Sequence, residues 1–155
     1  MSDTPFWTKF ADYDPFGRPG KITSPDSKDT TFCRTGVRKL SRTVSVATSS
    51  GSQNATTTET YDNLGRLRTI EEPSGTSGAQ VTTAYVYDQL DHLASATTTS
   101  GTTTQTRSFT YDLRGFLTSE SHPETASTSY GSFDARGHAT SKTGGTSHAF
   151  DLTFT

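Results

Sequence analysis

Tyr61-Asp62-Asn63-Leu64-Gly65-Arg66-Leu67 decides the fold, because the chain keeps returning to it. It recurs as Tyr87-Asp88-Gln89-Leu90-Asp91-His92-Leu93 and as Tyr111-Asp112-Leu113-Arg114-Gly115-Phe116-Leu117. A weaker copy reads Phe133-Asp134-Ala135-Arg136-Gly137-His138-Ala139, and an earlier one reads Tyr13-Asp14-Pro15-Phe16-Gly17-Arg18-Pro19. The copies start at 13, 61, 87, 111 and 133, with gaps of 48, 26, 24 and 22. The first gap is two periods of 24, which predicts a degenerate copy near residue 37. Phe32-Cys33-Arg34-Thr35-Gly36-Val37-Arg38-Lys39-Leu40 fits: it keeps the aromatic, the glycine and the leucine but not the Tyr-Asp pair. A period of this length marks an array of supersecondary units.

One repeat has a physical reading. Asp62 opens a four-residue segment that closes at Gly65. Asp at the first position of a type I turn accepts a hydrogen bond from the backbone N–H two residues on, and glycine at the fourth takes positive φ without steric cost. A type I turn, a left-handed residue and a bulge together close a β-hairpin. Tyr61 and Leu67 then face each other across the strands, as do Tyr87 with Leu93 and Tyr111 with Leu117. At Asp91 the glycine is replaced by one of the few other residues that tolerate the left-handed region. Tyr85 and Tyr87, like Phe109 and Tyr111, stand two apart on one face of an incoming strand. The outgoing strands end in punctuation at Pro73-Ser74-Gly75, Ser100-Gly101, His122-Pro123 and Gly144-Gly145. Hairpin turns are therefore predicted at 14–17, 62–65, 88–91, 112–115 and 134–137.

The pattern resembles the YD-repeat family, also called Rhs repeats, whose units run Tyr-Asp-x-x-Gly-Arg-Leu. The match at Tyr61–Leu67 is the clearest, and several copies in register at one period carry the resemblance over roughly residues 10 to 155. It implies an all-β chain of consecutive antiparallel hairpins forming a curved, single-layer sheet, one segment of a shell-like solenoid. The structural repeat positions are Tyr13, Asp14 and Gly17; Tyr61, Asp62, Gly65 and Leu67; Tyr87, Asp88, Asp91 and Leu93; Tyr111, Asp112, Gly115 and Leu117; and Phe133, Asp134 and Gly137. In bacterial Rhs and Tc-type toxins such a shell encloses a toxic domain, and in animal teneurins it forms a barrel at the cell surface. The family's self-cleaving core carries Asp-Pro-x-Gly motifs, a form that Asp14-Pro15-Phe16-Gly17 shares. A single copy inside a Tyr-Asp repeat reads as a turn.

Composition agrees with a thin sheet. Of 155 residues 28% are hydrophobic, while Ser and Thr supply about a third and threonine alone about a fifth. Low apolar content with high net charge marks disorder, but the net charge here is only −2. Threonine is β-branched, so it favours strands without adding an apolar face. A sheet one layer thick and wet on at least one side follows, in a single array of about six repeats of 22–26 residues spanning 1–155. Residues 1–9, with Trp7 beside Phe6, are read as a strap over an open sheet edge. The stretch 48–54 reads as a loop of small polar residues, and Thr43–Thr48 as an alternating strand. Counting one period on from Phe133 puts the next tyrosine near 156, so the final strand, 148–155, is expected to lack a hairpin partner and to pair with another copy.

No enzymatic constellation is expected. The repeated aspartates are spread one per hairpin, whereas acid–base chemistry needs two groups on one substrate. His92, His122, His138 and His148 lack the spacing of a metal site, and Cys33 stands alone. No metal and no cofactor is predicted. Arg34, Arg38, Lys39 and Arg42 are read as a solvated strand surface, and with a pI near 6.0 nucleic acid is not an expected partner. No apolar run reaches the length of a membrane span, and no signal-peptide pattern opens the chain. Asn54-Ala55-Thr56 matches an N-glycosylation acceptor, a triplet frequent by chance in a Thr-rich chain. The expectation is a structural repeat segment, secreted or at the cell surface within a larger protein. Its expected partners are neighbouring repeats, a toxin or other cargo, and further copies through sheet edges. A recognition module binding carbohydrate or a cell-surface partner through exposed Tyr and Trp is the alternative.

Overall fold

Every Asp-x-x-Gly segment joins two antiparallel strands in the computed structural model, which describes residues 7–48, 51–75, 78–144 and 152–153. Thirteen strands are described and no helix. They gather into two compact units, Met1–Thr82 and Thr83–Thr155.

The first unit runs β1 (Lys9–Ala11), β2 (Lys21–Thr23), β3 (Asp29–Thr35), β4 (Lys39–Thr48), β5 (Gly51–Tyr61) and β6 (Leu67–Pro73). Each strand pairs antiparallel with the one before it, so sheet order is chain order. The degenerate repeat is a hairpin of its own: Thr35 pairs with Lys39 around Gly36 at φ 61°. Residues 51–54, read above as loop, belong to β5 instead. Gly51 pairs with Thr48 and Asn54 with Ser45, continuing the ladder of β4. Backbone pairing along a complete neighbouring strand overrides the turn preference of Gly-Ser-Gln-Asn.

The second unit takes in β8 (Leu93–Ser100), β9 (Thr103–Tyr111), β10 (Leu117–His122), β11 (Ala126–Phe133), β12 (Ala139–Gly144) and β13 (Leu152–Thr153), again in chain order. β7 (Gln80–Tyr87) carries the division between the units and lies next to β8. β6, β8, β10 and β12 end at Pro73, Ser100, His122 and Gly144, the four positions where turn-forming residues interrupt the pattern.

The expectation that the final strand has no partner is corrected in part. Leu152 pairs with Lys142 and Thr153 with Ser141, an ordinary antiparallel step onto β12. Residues 148–151 and 154–155 lie outside the described residues, as do 1–6 of the expected strap. Lys9 of that strap starts the first hairpin, opposite Thr23, and Trp7 is exposed.

Among the described residues no hydrophobic side chain is buried, and only Thr58 falls in the buried class. Each unit is therefore one layer of sheet, with most strand side chains half-buried by their neighbours within the layer. Hydroxyl pairs replace a core on parts of this surface. Thr43 meets Thr56 at 2.8 Å and Ser41 meets Thr58 at 3.1 Å between β4 and β5. In the second unit Thr83 meets Thr98 and Thr97 meets Thr106, each at 3.1 Å.

Candidate functional site: the hairpin tips

Asp62 shows how one tip is built. Its Oδ1 accepts the amide protons of Leu64 at 2.8 Å and Arg66 at 3.0 Å, while Oδ2 accepts Arg66 Nε at 2.7 Å. The Asp62 carbonyl accepts from Gly65 N at 3.1 Å, and Asp62 N donates to the Arg66 carbonyl at 2.9 Å. Asp14 repeats every one of these bonds with Phe16, Gly17 and Arg18. At Asp88 and Asp134 the side-chain partner becomes the ring of His92 or His138, with Nδ1 at 2.9 and 3.2 Å. At Asp112 it is Arg114, because the later position is taken by Phe116. The left-handed residue is present in all five turns: Gly17, Gly65, Asp91, Gly115 and Gly137 have φ of 74°, 81°, 69°, 85° and 86°. Register shifts follow at Tyr61 and Leu117, the bulges that this turn type produces.

These bonds set the electrostatics. At Asp14 the Arg18 amide, against some desolvation, and then the Arg18 guanidinium hold the carboxyl below its ordinary value. At Asp134 the His138 amide leads, with desolvation opposing and the Arg136 amide adding to it. At Asp62, Asp88 and Asp112 desolvation is the largest influence and raises the value. The combined donors, from Arg66 and Leu64, from His92 and Leu90, and from Phe116 and Arg114, outweigh it, so these three also lie below the ordinary range. Both oxygens of each carboxylate are engaged within its own turn. They fasten the tip.

Three aromatic positions close their hairpins, and two of them touch the hairpin before. Tyr61 stands opposite Leu67, Tyr111 opposite Leu117 and Phe133 opposite Ala139. Tyr111 donates its hydroxyl to the Leu93 carbonyl of the preceding hairpin at 3.1 Å. His92 stacks on the Tyr111 ring at 4.6 Å, and Phe116 packs on Phe133 at 5.2 Å. The same two rings crowd the next turn glycine. A Cβ added at Gly115 would lie 2.9 Å from His92 Nε2, and one at Gly137 would lie 2.6 Å from the Phe116 ring. The residue just after one turn thus packs on the ring and the glycine of the following turn. Sequence reasoning missed this role for His92 and Phe116, and missed the carboxylate partner role of Arg18, Arg66, His92 and His138. The signal was there in the Arg or His that recurs four residues after the Asp.

Other singled-out residues are dispersed. Cys33 is exposed, opposite Ser41 in the β3–β4 ladder. Glu120 accepts the Tyr130 hydroxyl at 2.7 Å and lies 3.2 Å from His122 Nε2; the Tyr130 bond, against desolvation, holds it below the usual range. Among the described residues no three His, Cys, Asp or Glu side chains gather as a metal site would need. Asp14-Pro15-Phe16-Gly17 forms a turn, closed by the bond from Gly17 N to the Asp14 carbonyl at 2.9 Å.

The chain matches no protein-family model and no curated protein.

Proposed function

We propose that this chain is a wall segment of a YD-repeat, or Rhs-type, shell that encloses or presents a polypeptide cargo such as a toxin domain. One observation carries it: hairpins built on one turn chemistry succeed each other while no apolar side chain among the described residues is buried. A repeat that cannot bury an apolar face alone gains its stability from its neighbours, which is the physics of an array. The chemistry at the tips supports a structural role, because the repeated carboxylates are consumed by their own turns. The work of such a segment is to add rungs to a curving sheet outside the cytoplasm, without cofactor, metal or catalytic step.

The described tyrosines favour this over a carbohydrate platform. Tyr61, Tyr111 and Tyr130 are half-buried and hydrogen-bonded to Glu59, to the Leu93 carbonyl and to Glu120. A sugar-binding face needs several rings open together, and Tyr13, at 59% exposed, is the tyrosine most available for one. Cryo-electron microscopy of the protein expressed from its complete reading frame tests the proposal. Further hairpins continuing the array around a polypeptide in their interior are expected. An isolated sheet with no further repeats and no enclosed chain would overturn it.

A further inference from the structure

In the second unit a ring fills the space between neighbouring hairpin tips: His92 against Tyr111 and Gly115, Phe116 against Phe133 and Gly137. The β3–β4 hairpin breaks that rule. Its closing pair is Thr35 with Lys39, so no ring precedes the turn, and a Cβ at Gly36 or at Gly65 would meet nothing within 4 Å. A hollow of about 370 Å³ opens beside this turn instead, walled by Phe16, Val37, Leu40 and Tyr61. That volume lies within the range of about 300–1,000 Å³ typical of ligand pockets.

The rim is cationic. Arg18, Arg34 and Lys39 line the hollow, and among the described residues no carboxylate does. Arg18 is held by Asp14 at 2.7 Å. Arg34 donates Nη1 to the Pro19 carbonyl at 3.2 Å and stands over the Phe32 ring, which leaves its charge without an acidic partner among the described residues. Arg38, just outside, is bonded to the neutral amide oxygen of Asn63. On the adjoining strand Glu59, opposite Leu40, accepts the Tyr61 hydroxyl at 2.5 Å; Asp12 and Asp14 line the neighbouring hollow, which shares Arg18 and Arg34 with this one.

We propose that this hollow binds an acidic peptide segment, taking one aromatic side chain where the second unit supplies rings of its own at His92 and Phe116. The ring packs on Tyr61, Leu40 and Val37, and an adjacent carboxylate pairs with Arg34 and Lys39. A guanidinium favours a carboxylate in a two-bond geometry, and exposed Phe16 adds an aromatic wall. A free inorganic anion leaves that apolar wall wet. A nucleic acid asks for a track of phosphate contacts, which two uncommitted cations do not form.

An NMR titration of the ¹⁵N-labelled chain tests the proposal, using a short capped peptide of alternating glutamate and phenylalanine. Amide shifts centred on Arg34, Gly36, Val37 and Tyr61 are expected. Val37 is 96% exposed, so substitutions there leave the fold alone. Val37→Asp is expected to weaken binding about tenfold and Val37→Lys to tighten it, while Arg136→Ala changes nothing. Absence of shifts at millimolar peptide overturns the proposal, as does equal binding of a lysine–phenylalanine peptide. Equal binding of a glutamate–serine peptide or of inorganic phosphate would reduce the site to a bare anion contact and overturn it too. Tighter binding of a single-stranded oligonucleotide would do the same.

Discussion

At Gly65 the backbone sits at φ 81° with no atom within 4 Å of an added Cβ, whereas at Gly137, φ 86°, the Cβ would fall 2.6 Å from the Phe116 ring. Gly65→Ala therefore costs only the left-handed conformation, about 1–2 kcal/mol, and Gly137→Ala is predicted to cost more because Phe116 must also move. Urea midpoints check the order; equal losses would contradict the ring contact. The turn aspartates give a pH prediction. Their carboxyls lie below the ordinary value when folded, so the unfolded chain binds more protons and stability rises with pH in the acid range. Their contribution is full above an unfolded value of about 3.9 and is lost as pH falls through the folded values. Asp62→Asn keeps an oxygen for the two amides but removes the charge facing Arg66. It should lower the midpoint clearly at pH 7 and by less as pH falls below the ordinary carboxylate value; equal losses throughout would sink the assignment.

Side-chain contacts between neighbouring hairpin tips can be measured one at a time. Tyr111→Phe keeps the stack on His92 and removes the 3.1 Å bond to the Leu93 carbonyl. A loss of about 0.5–1.5 kcal/mol is predicted, against none for Tyr13→Phe, whose side chain is largely exposed. An unchanged Tyr111→Phe midpoint would mean that this bond does not help hold the hairpins together. Contacts of this kind were the part that sequence could not supply. The turns were legible because Asp and Gly act inside one four-residue segment, and strand ends were legible at Pro73 and His122-Pro123 because proline forbids continuation. The start of β5 was not, since Gly51-Ser52-Gln53-Asn54 prefers a turn locally and becomes strand only through its ladder with β4. The packing of Phe116 on Gly137 joins two different repeats, and no single copy of the motif contains it. The hollow beside Gly36 was equally hidden, because it arises where a neighbour's ring is not supplied.

At the scale of the whole molecule, the described strands begin and end on edges: β1 has a sheet neighbour only in β2 and β13 only in β12. A strand with one sheet neighbour among the described residues can offer backbone groups to another copy. Light scattering over a concentration series is predicted to show a rising mass, and a strictly monomeric mass at high concentration would refute edge pairing. Stability comes from turns, ladders and hydroxyl pairs, with no apolar side chain buried among the described residues. Calorimetry on a dilute, monomeric sample tests this most directly, through the heat capacity change of unfolding. An ordinary globular chain of 155 residues would show about 1.9–2.3 kcal/mol/K, because unfolding exposes its apolar interior. A coreless sheet exposes far less new apolar surface, so a value at least about a third lower is predicted; a value inside the ordinary range would contradict it.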